Sequence, residues 1–152
     1  MIKTIMLAVD GSLTSKKAAD YTLWLAKNIN ANVILFHAVD ETLLRSLFSL
    51  AEGAAAPTVL DPVEQNLKEG AKVYLNAIEG QFKKENVPCE TVIRGGTPAV
   101  EIVREAESRN VDLIVAGTHG RGRLGASVLG SVAYGIVHHE TKIPVLLVRK
   151  EG

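Results

Sequence analysis

The run Gly117-Thr118-His119-Gly120-Arg121-Gly122-Arg123-Leu124-Gly125-Ala126-Ser127-Val128-Leu129-Gly130-Ser131 combines the residue types that anion binding uses. Glycines let the backbone take positive φ and approach an anion closely. The N–H groups and dipole of a helix opening at Gly130-Ser131 favour negative charge. Arg121 and Arg123 can pair with a phosphate chain, and the hydroxyls of Thr118, Ser127 and Ser131 add donors. The chemistry on offer is phosphate binding; glycine content alone serves a solvated surface connection equally well. The loop lacks a Gly-Lys-Ser/Thr ending and the N-terminal loop lacks Gly-x-Gly-x-x-Gly, so the commonest nucleoside-triphosphatase and dinucleotide fingerprints are both absent. It also holds no Lys, Asp or Glu. Phosphoryl transfer needs a positioned nucleophile and charge stabilisation beyond binding, so no catalytic residue is assigned and hydrolysis is at most slow.

Outside this loop, Asp10 in Asp10-Gly11-Ser12 either caps the turn that follows or faces a ligand and its Mg²⁺, and the two roles are compatible. His119 lies inside the glycine-rich loop and reads as a donor to phosphate rather than a general base. His37 ends an apolar run and reads as a hydrogen-bonded structural histidine. His138-His139 complement the end of a helix. Tyr21 and Trp24 fall within a helix and read as packing residues, and Cys89 as a buried, inert thiol.

These residues are positioned by short apolar runs alternating with longer stretches of helical periodicity, the pattern of a parallel α/β sheet. Strands are predicted over Ile2 to Val9, Asn32 to Val39, Cys89 to Ile93, Val111 to Ala116 and Ile143 to Val148. Helices are predicted over Ser15 to Ile29, Pro62 to Asn86 (with Pro62 in the first turn), Thr97-Pro98 to Arg109, and Gly130 to Glu140. Asp40 to Pro62 breaks the pattern: Leu43, Leu44, Leu47, Phe48 and Leu50 suggest a turn or two of amphipathic helix, and Glu52 to Pro57 reads as a mobile connection. That excursion either exposes an apolar surface to partners or folds over the neighbouring pocket. Right-handed crossovers wind such units into a doubly wound open sheet, which binds ligands beyond the carboxyl ends of its strands where the winding reverses.

The 152 residues suit one domain, and 17 Lys+Arg against 17 Asp+Glu give no global attraction to nucleic acid or an anionic membrane. No apolar run approaches the roughly 20 residues of a membrane span, and Asp10 comes too early for a signal peptide, so a cytoplasmic location is expected. A single cysteine excludes an intrachain disulfide and a Cys-based zinc cluster.

The spacing Gly-x2-Gly-x9-Gly-Ser, present as Gly117, Gly120, Gly130 and Ser131, resembles the ATP-binding signature of the universal stress protein family. The resemblance extends through Asp10 after the first strand, Val33-Ile34-Leu35-Phe36-His37, Gly95 and Thr97-Pro98, Asp112 to Gly117, and Ile143-Pro144-Val145-Leu146-Leu147-Val148. It implies an adenine nucleotide alpha hydrolase-like fold, an open five-stranded parallel sheet of order 3-2-1-4-5 with helices on both faces. It further implies that Asp10 lies near the ribose and the metal-bound phosphates of ATP, that Ala38 contacts adenine and that Gly117 meets the ribose. By the same resemblance His119 and Gly120 face the phosphates, and Gly130, Ser131 and Val132 hold the phosphate tail; Arg121, read from its residue type and not from the resemblance, is a further candidate phosphate contact. Nucleotide-binding members often carry Pro where this chain has Ala8 and Val where it has Ala38; main-chain groups that can recognise adenine survive the second change.

An apolar final strand at a sheet edge invites pairing with a second copy, and the resemblance implies a homodimer joined through Ile143 to Val148. The leading expectation is a dimer that binds ATP with Mg²⁺ and changes its contacts with other proteins. A weak ATPase and a nucleotide-free interaction module are the alternatives.

Overall fold

The first strand, β1 (Thr4–Ala8), is apolar on both faces because both are covered. In this computed structural model, which describes residues 1–51, 56–119 and 129–149, it lies at the centre of a five-stranded parallel sheet. On one side it pairs with β2 (Asn32–Asp40), setting Ile5 opposite Val33 and Leu7 opposite Leu35. On the other it pairs with β4 (Leu113–Gly117), with Ile5 opposite Leu113 and Leu7 opposite Val115. The edges are β3 (Cys89–Gly96) beside β2 and β5 (Val145–Val148) beside β4, giving the expected order β3-β2-β1-β4-β5.

Alternate strand residues feed two cores. Ile5, Leu7, Val33, Leu35 and Val115 pack under α1 (Leu13–Ile29) and α3 (Ala56–Lys84), against Ala18, Leu23, Ala26, Leu75 and Phe82. Met6, Ile34, Phe36 and Ile114 pack under α4 (Pro98–Ser108) and α5 (Ser131–His138), against Ile102, Val103, Ala106 and Ile136. Phe82 is fully buried, and truncating such a ring to Ala typically costs about 3–5 kcal/mol.

Three helices hand over to the next strand by the same device. Asn30, Asn86 and Asn110 all sit in the left-handed region, with φ of 54°, 58° and 52°. The following amides of Ala31, Val87 and Val111 donate to the carbonyls of Ala26, Phe82 and Ala106 at 3.0, 3.0 and 2.9 Å. These are the six-to-one bonds that close a helix C-terminus, and asparagine is the side chain that tolerates the conformation best after glycine.

The excursion after β2 is more regular than expected. Glu41–Ala51 forms a complete helix, α2, and α3 begins at Ala56, so Pro62 lies inside it and not in its first turn. Pro57, the second residue of α3, occupies the place that Pro62 was expected to hold. A proline at the seventh position forfeits one bond to the carbonyl four residues back, a loss the remaining turns of a 29-residue helix absorb. Residues 52–55 of the expected connection lie outside the described residues.

The two edges differ. Along β3, Glu90 pairs with Arg109, the C-cap of α4, at 2.8 Å and Arg94 reaches Glu105 of α4 at 3.3 Å. Along β5, Val145, Leu146, Leu147 and Val148 are all apolar and all partly exposed.

Candidate functional site

The winding reverses between β1 and β4, and the carboxyl ends of β1, β2 and β4 open there into a cavity of about 590 Å³. Asp10, Ala38, Gly117, His119, Gly130, Ser131 and Val132 all line it. Gly120 and Arg121, together with Arg123 and Ser127, lie outside the described residues.

The turn after β1 is tightly bonded. Asp10 Oδ1 accepts the amide of Ser12 at 2.8 Å, the amide of Asp10 donates to Ser15 Oγ at 3.2 Å, and Ser12 Oγ caps α1 by accepting the amide of Ser15 at 3.1 Å. The Asp10 carboxylate therefore bonds within its own turn while the residue lines the cavity.

After β4 the chain is pinned at both ends of the glycine-rich loop. The amide of Thr118 donates to the carbonyl of Val148 at 2.9 Å, and the carbonyl of Thr118 accepts the amide of Gly130 at 2.7 Å. Gly130 then opens α5 as its N-cap with no side-chain capping bond, and Gly130, Ser131, Val132 and Ala133, the first turn of the helix, line the cavity. Thr118 Oγ1 lies 2.9 Å from His119 Nδ1, whereas His119 Nε2 is buried with no hydrogen-bond partner among the described residues. A buried imidazole nitrogen without a partner costs on the order of 1–3 kcal/mol, which a bound polar ligand recovers.

The wall opposite comes from α4 and α3. Pro98 and Ile102 supply an apolar surface, and the hydroxyl of Thr97, at the head of α4, meets that of Thr42 in α2 at 3.0 Å instead of capping its own helix. From α3, Asn66, Leu67, Gly70, Ala71 and Tyr74 reach the cavity, and the sequence reading missed this face. The helical spacing of Leu67, Ala71 and the apolar residues after them is visible in the sequence, but it does not tell a cavity wall from a core face. His37 was also taken as structural only. It is hydrogen-bonded, with Nδ1 2.7 Å from the carbonyl of Val9, and it lines the cavity as well.

Among the described residues no group of three or more His, Cys, Asp or Glu converges as a metal cage. Asp10 and Asp40 are the carboxylate residues that line the cavity, too few for an all-protein cage but of the donor type that would hold a Mg²⁺ with most of its shell supplied from elsewhere. Cys89 is half-buried beside Glu79, and burial followed by the Glu79 charge pushes its thiol pKa up, which suppresses the reactive thiolate. Trp24 and Tyr21 lie on the exposed side of α1. No helix among the described residues is long and apolar enough to cross a membrane.

The model of the universal stress protein family matches residues 1–149. The chain belongs to the universal stress protein family. It is 33% identical over 150 residues to universal stress protein YxiE of Bacillus subtilis, covering 98% of this chain and 100% of that one. It is 32% identical over 159 residues to universal stress protein MJ0577 of Methanocaldococcus jannaschii, covering 100% and 98% of the two chains. The solved structure of MJ0577 superposes with a TM-score of 0.84 over 100% of this chain and 99% of that one. A universal stress protein family protein from Arabidopsis thaliana, solved with AMP bound, shares the fold at 21% identity and a TM-score of 0.68, over 98% and 92% of the chains. In this universal stress protein the five-stranded order β3-β2-β1-β4-β5 belongs to the fold shared with those structures.

Proposed function

We propose that this universal stress protein binds an adenine nucleotide, ATP together with Mg²⁺, in the cavity at the β1/β4 reversal. The observation that carries the reading is the convergence on one cavity of an uncapped helix start at Gly130-Ser131 and the unpartnered His119 Nε2. Both supply what a phosphate chain seeks: amide donors aligned with a helix dipole, and a nitrogen that becomes a donor when protonated or in the appropriate tautomer. In this arrangement Ala38 presents main-chain groups to the base and Gly117 borders the ribose. Ser131 and Val132 hold the phosphate tail with Gly130, and Gly120 and Arg121 are further phosphate contacts in this reading. Mg²⁺ would be held by Asp10 together with the phosphates.

The partly exposed apolar strand β5, beside exposed Tyr134 and Val137 of α5, supports a homodimer paired through Ile143 to Val148. Nucleotide binding then changes the contacts of this dimer with other proteins, a cytoplasmic regulatory role in which catalysis is not required.

The test is to denature the purified protein, identify any released nucleotide by chromatography and mass spectrometry, and titrate the emptied protein with ATP and Mg²⁺. Stoichiometric adenine nucleotide, or saturable binding on titration, is the expected result. An empty protein that takes up no ATP would overturn the nucleotide reading and leave a dimeric interaction module.

A further inference from the structure

Successive residues of a strand face opposite sides of a sheet, and the cavity takes its walls from both sides of this one. Phe36, Ala38, Ile102 and Val132 belong with the core under α4 and α5, whereas Val9, Ala71 and Tyr74 belong with the core under α1 and α3. The cavity therefore straddles the carboxyl edge of the sheet. The nucleotide contacts proposed above come from the strand ends, the glycine-rich loop and α5. None comes from α3, although Asn66, Leu67, Gly70, Ala71 and Tyr74 of that helix all line the cavity.

These five residues carry no charge, so this face has no cation to meet a phosphate and suits a neutral group. Tyr74 and His37 bond each other at 3.0 Å and are both engaged further, so they wall the space and are not free donors. Between Leu67 and Tyr74 the wall is open, because a Cβ built on Gly70 meets nothing within 4 Å. Gly70 lies midway along the 29-residue α3, where glycine is disfavoured, and no neighbour packs against the missing side chain. The result is a notch of bare helix backbone bordering the cavity. Gly80 of the same helix has equally open surroundings but does not line the cavity.

The notch stands at the base end. The Tyr74–His37 bond sets α3 beside the residue that precedes Ala38, whereas the phosphate contacts gather where α5 starts beyond β4, on the other side of β1. Resting on the adenine nucleotide reading above, we propose that the α3 side of the cavity is a second subsite, which takes an uncharged, largely apolar group carried on the purine, with Gly70 setting its size. The site then admits base-substituted purine nucleotides as well as ATP.

The experiment measures binding of ATP, N6-benzyl-ATP and 2-benzylthio-ATP to the wild type, Gly70→Leu, Gly70→Ala and Gly80→Leu, with melting temperatures as the check on folding. At least one substituted nucleotide is expected to bind the wild type as tightly as ATP. Gly70→Leu should weaken that ligand at least about tenfold while ATP changes by no more than about twofold, a difference within reach of one displaced apolar group. Gly80→Leu, the same change on the same helix away from the cavity, should move neither. If Gly70→Leu does not fold, Gly70→Ala, the better helix former, carries the test with a smaller loss of the same selectivity. A wild type that binds ATP and rejects both substituted nucleotides overturns the subsite and leaves the adenine reading intact, as does a Gly70 variant that loses ATP and the substituted ligand by the same factor. A wild type that binds none of the three overturns both.

Discussion

A Cβ built on Gly117 would stand 2.7 Å from Cγ2 of Thr14 and 3.2 Å from the Thr14 carbonyl carbon, so the end of β4 lies against the first turn of α1 with no room for a side chain. Gly117→Ala is therefore expected to destabilise the fold by about 1–3 kcal/mol, the usual cost of overpacking. Thr14→Ser in the same chain should return part of the loss by removing the nearest methyl. Urea unfolding of the two variants measures both effects, and equal stability of Gly117→Ala and the wild type would contradict the packing assigned here.

At the other end of the loop, Gly130 is buried and has φ −62° and ψ 156°, a conformation valine adopts without strain. Gly130→Val should fold but fill the approach to the α5 amides. ATP affinity by calorimetry is expected to fall at least about tenfold, an energy of the order of one to two lost hydrogen bonds.

Asp10→Asn keeps an oxygen to accept the amide of Ser12 and removes the negative charge. The variant is expected to melt within a few degrees of the wild type and to bind ATP with much less response to added Mg²⁺. ATP titrations in Mg²⁺ and in EDTA read this directly; an unchanged Mg²⁺ response would remove Asp10 from the metal-bound phosphates.

The carboxyl of Glu105 has its pKa lowered: burial acts to raise it and is outweighed by the hydrogen bond from Arg109 and the charges of Arg94 and Arg109. The Arg109 Nε contact is 2.6 Å, and the Glu105 side chain is only 14% exposed. A depressed carboxylate contributes stability that is present above its unfolded pKa and lost as pH falls through the folded one. Glu105→Gln should thus cost about 1 kcal/mol at pH 7, allowing for the exposed guanidinium of Arg94. The gap from the wild type should close as pH drops below about 4.5. Denaturant titrations at pH 7 and pH 3 test the sign.

The amides of Ile114 and Thr118 donate to the carbonyls of Pro144 and Val148, so residues 144, 146 and 148 face β4 and the amide of Val145 points to the open edge. Val145→Pro removes that donor without touching the ladder. The dimer dissociation constant, from sedimentation equilibrium, should rise at least about tenfold, with two such amides lost across a two-fold axis. A wild type that sediments as a monomer at all concentrations would place no dimer on this edge.

The parallel α/β class was legible because runs such as Val33 to Phe36 are apolar on both faces, as strands covered by helices on both sides are, whereas the strand order and the β1/β4 reversal came from the resemblance to the universal stress protein family. The glycine spacing around Gly117 and Gly130 located the loop for the same kind of reason, since backbone approach restricts residue type. Tyr74 was not legible. A tyrosine on a helix meets the hydrophobic period whether it faces solvent or a cavity, and what brings Tyr74 to the cavity is packing beside β2, whose His37 is 37 residues away in sequence. The length of α3 was hidden similarly: Pro62 is a start signal in isolation, and nothing local reveals that Pro57 has already opened the helix.

The unequal dressing of the two sheet edges has an arithmetical consequence. The β3 border is cross-linked by Glu90, Arg94, Glu105 and Arg109, leaving the bare backbone of β5 as the one uncharged edge. A particle with one adhesive border has a valence of one: it can form a closed pair, but it cannot add a third member through its sheet. In the pairing proposed through β5, the charges that tie the end of α4 to β3 leave the opposite edge unsuited to a third copy, which is what separates a closed pair from a fibre.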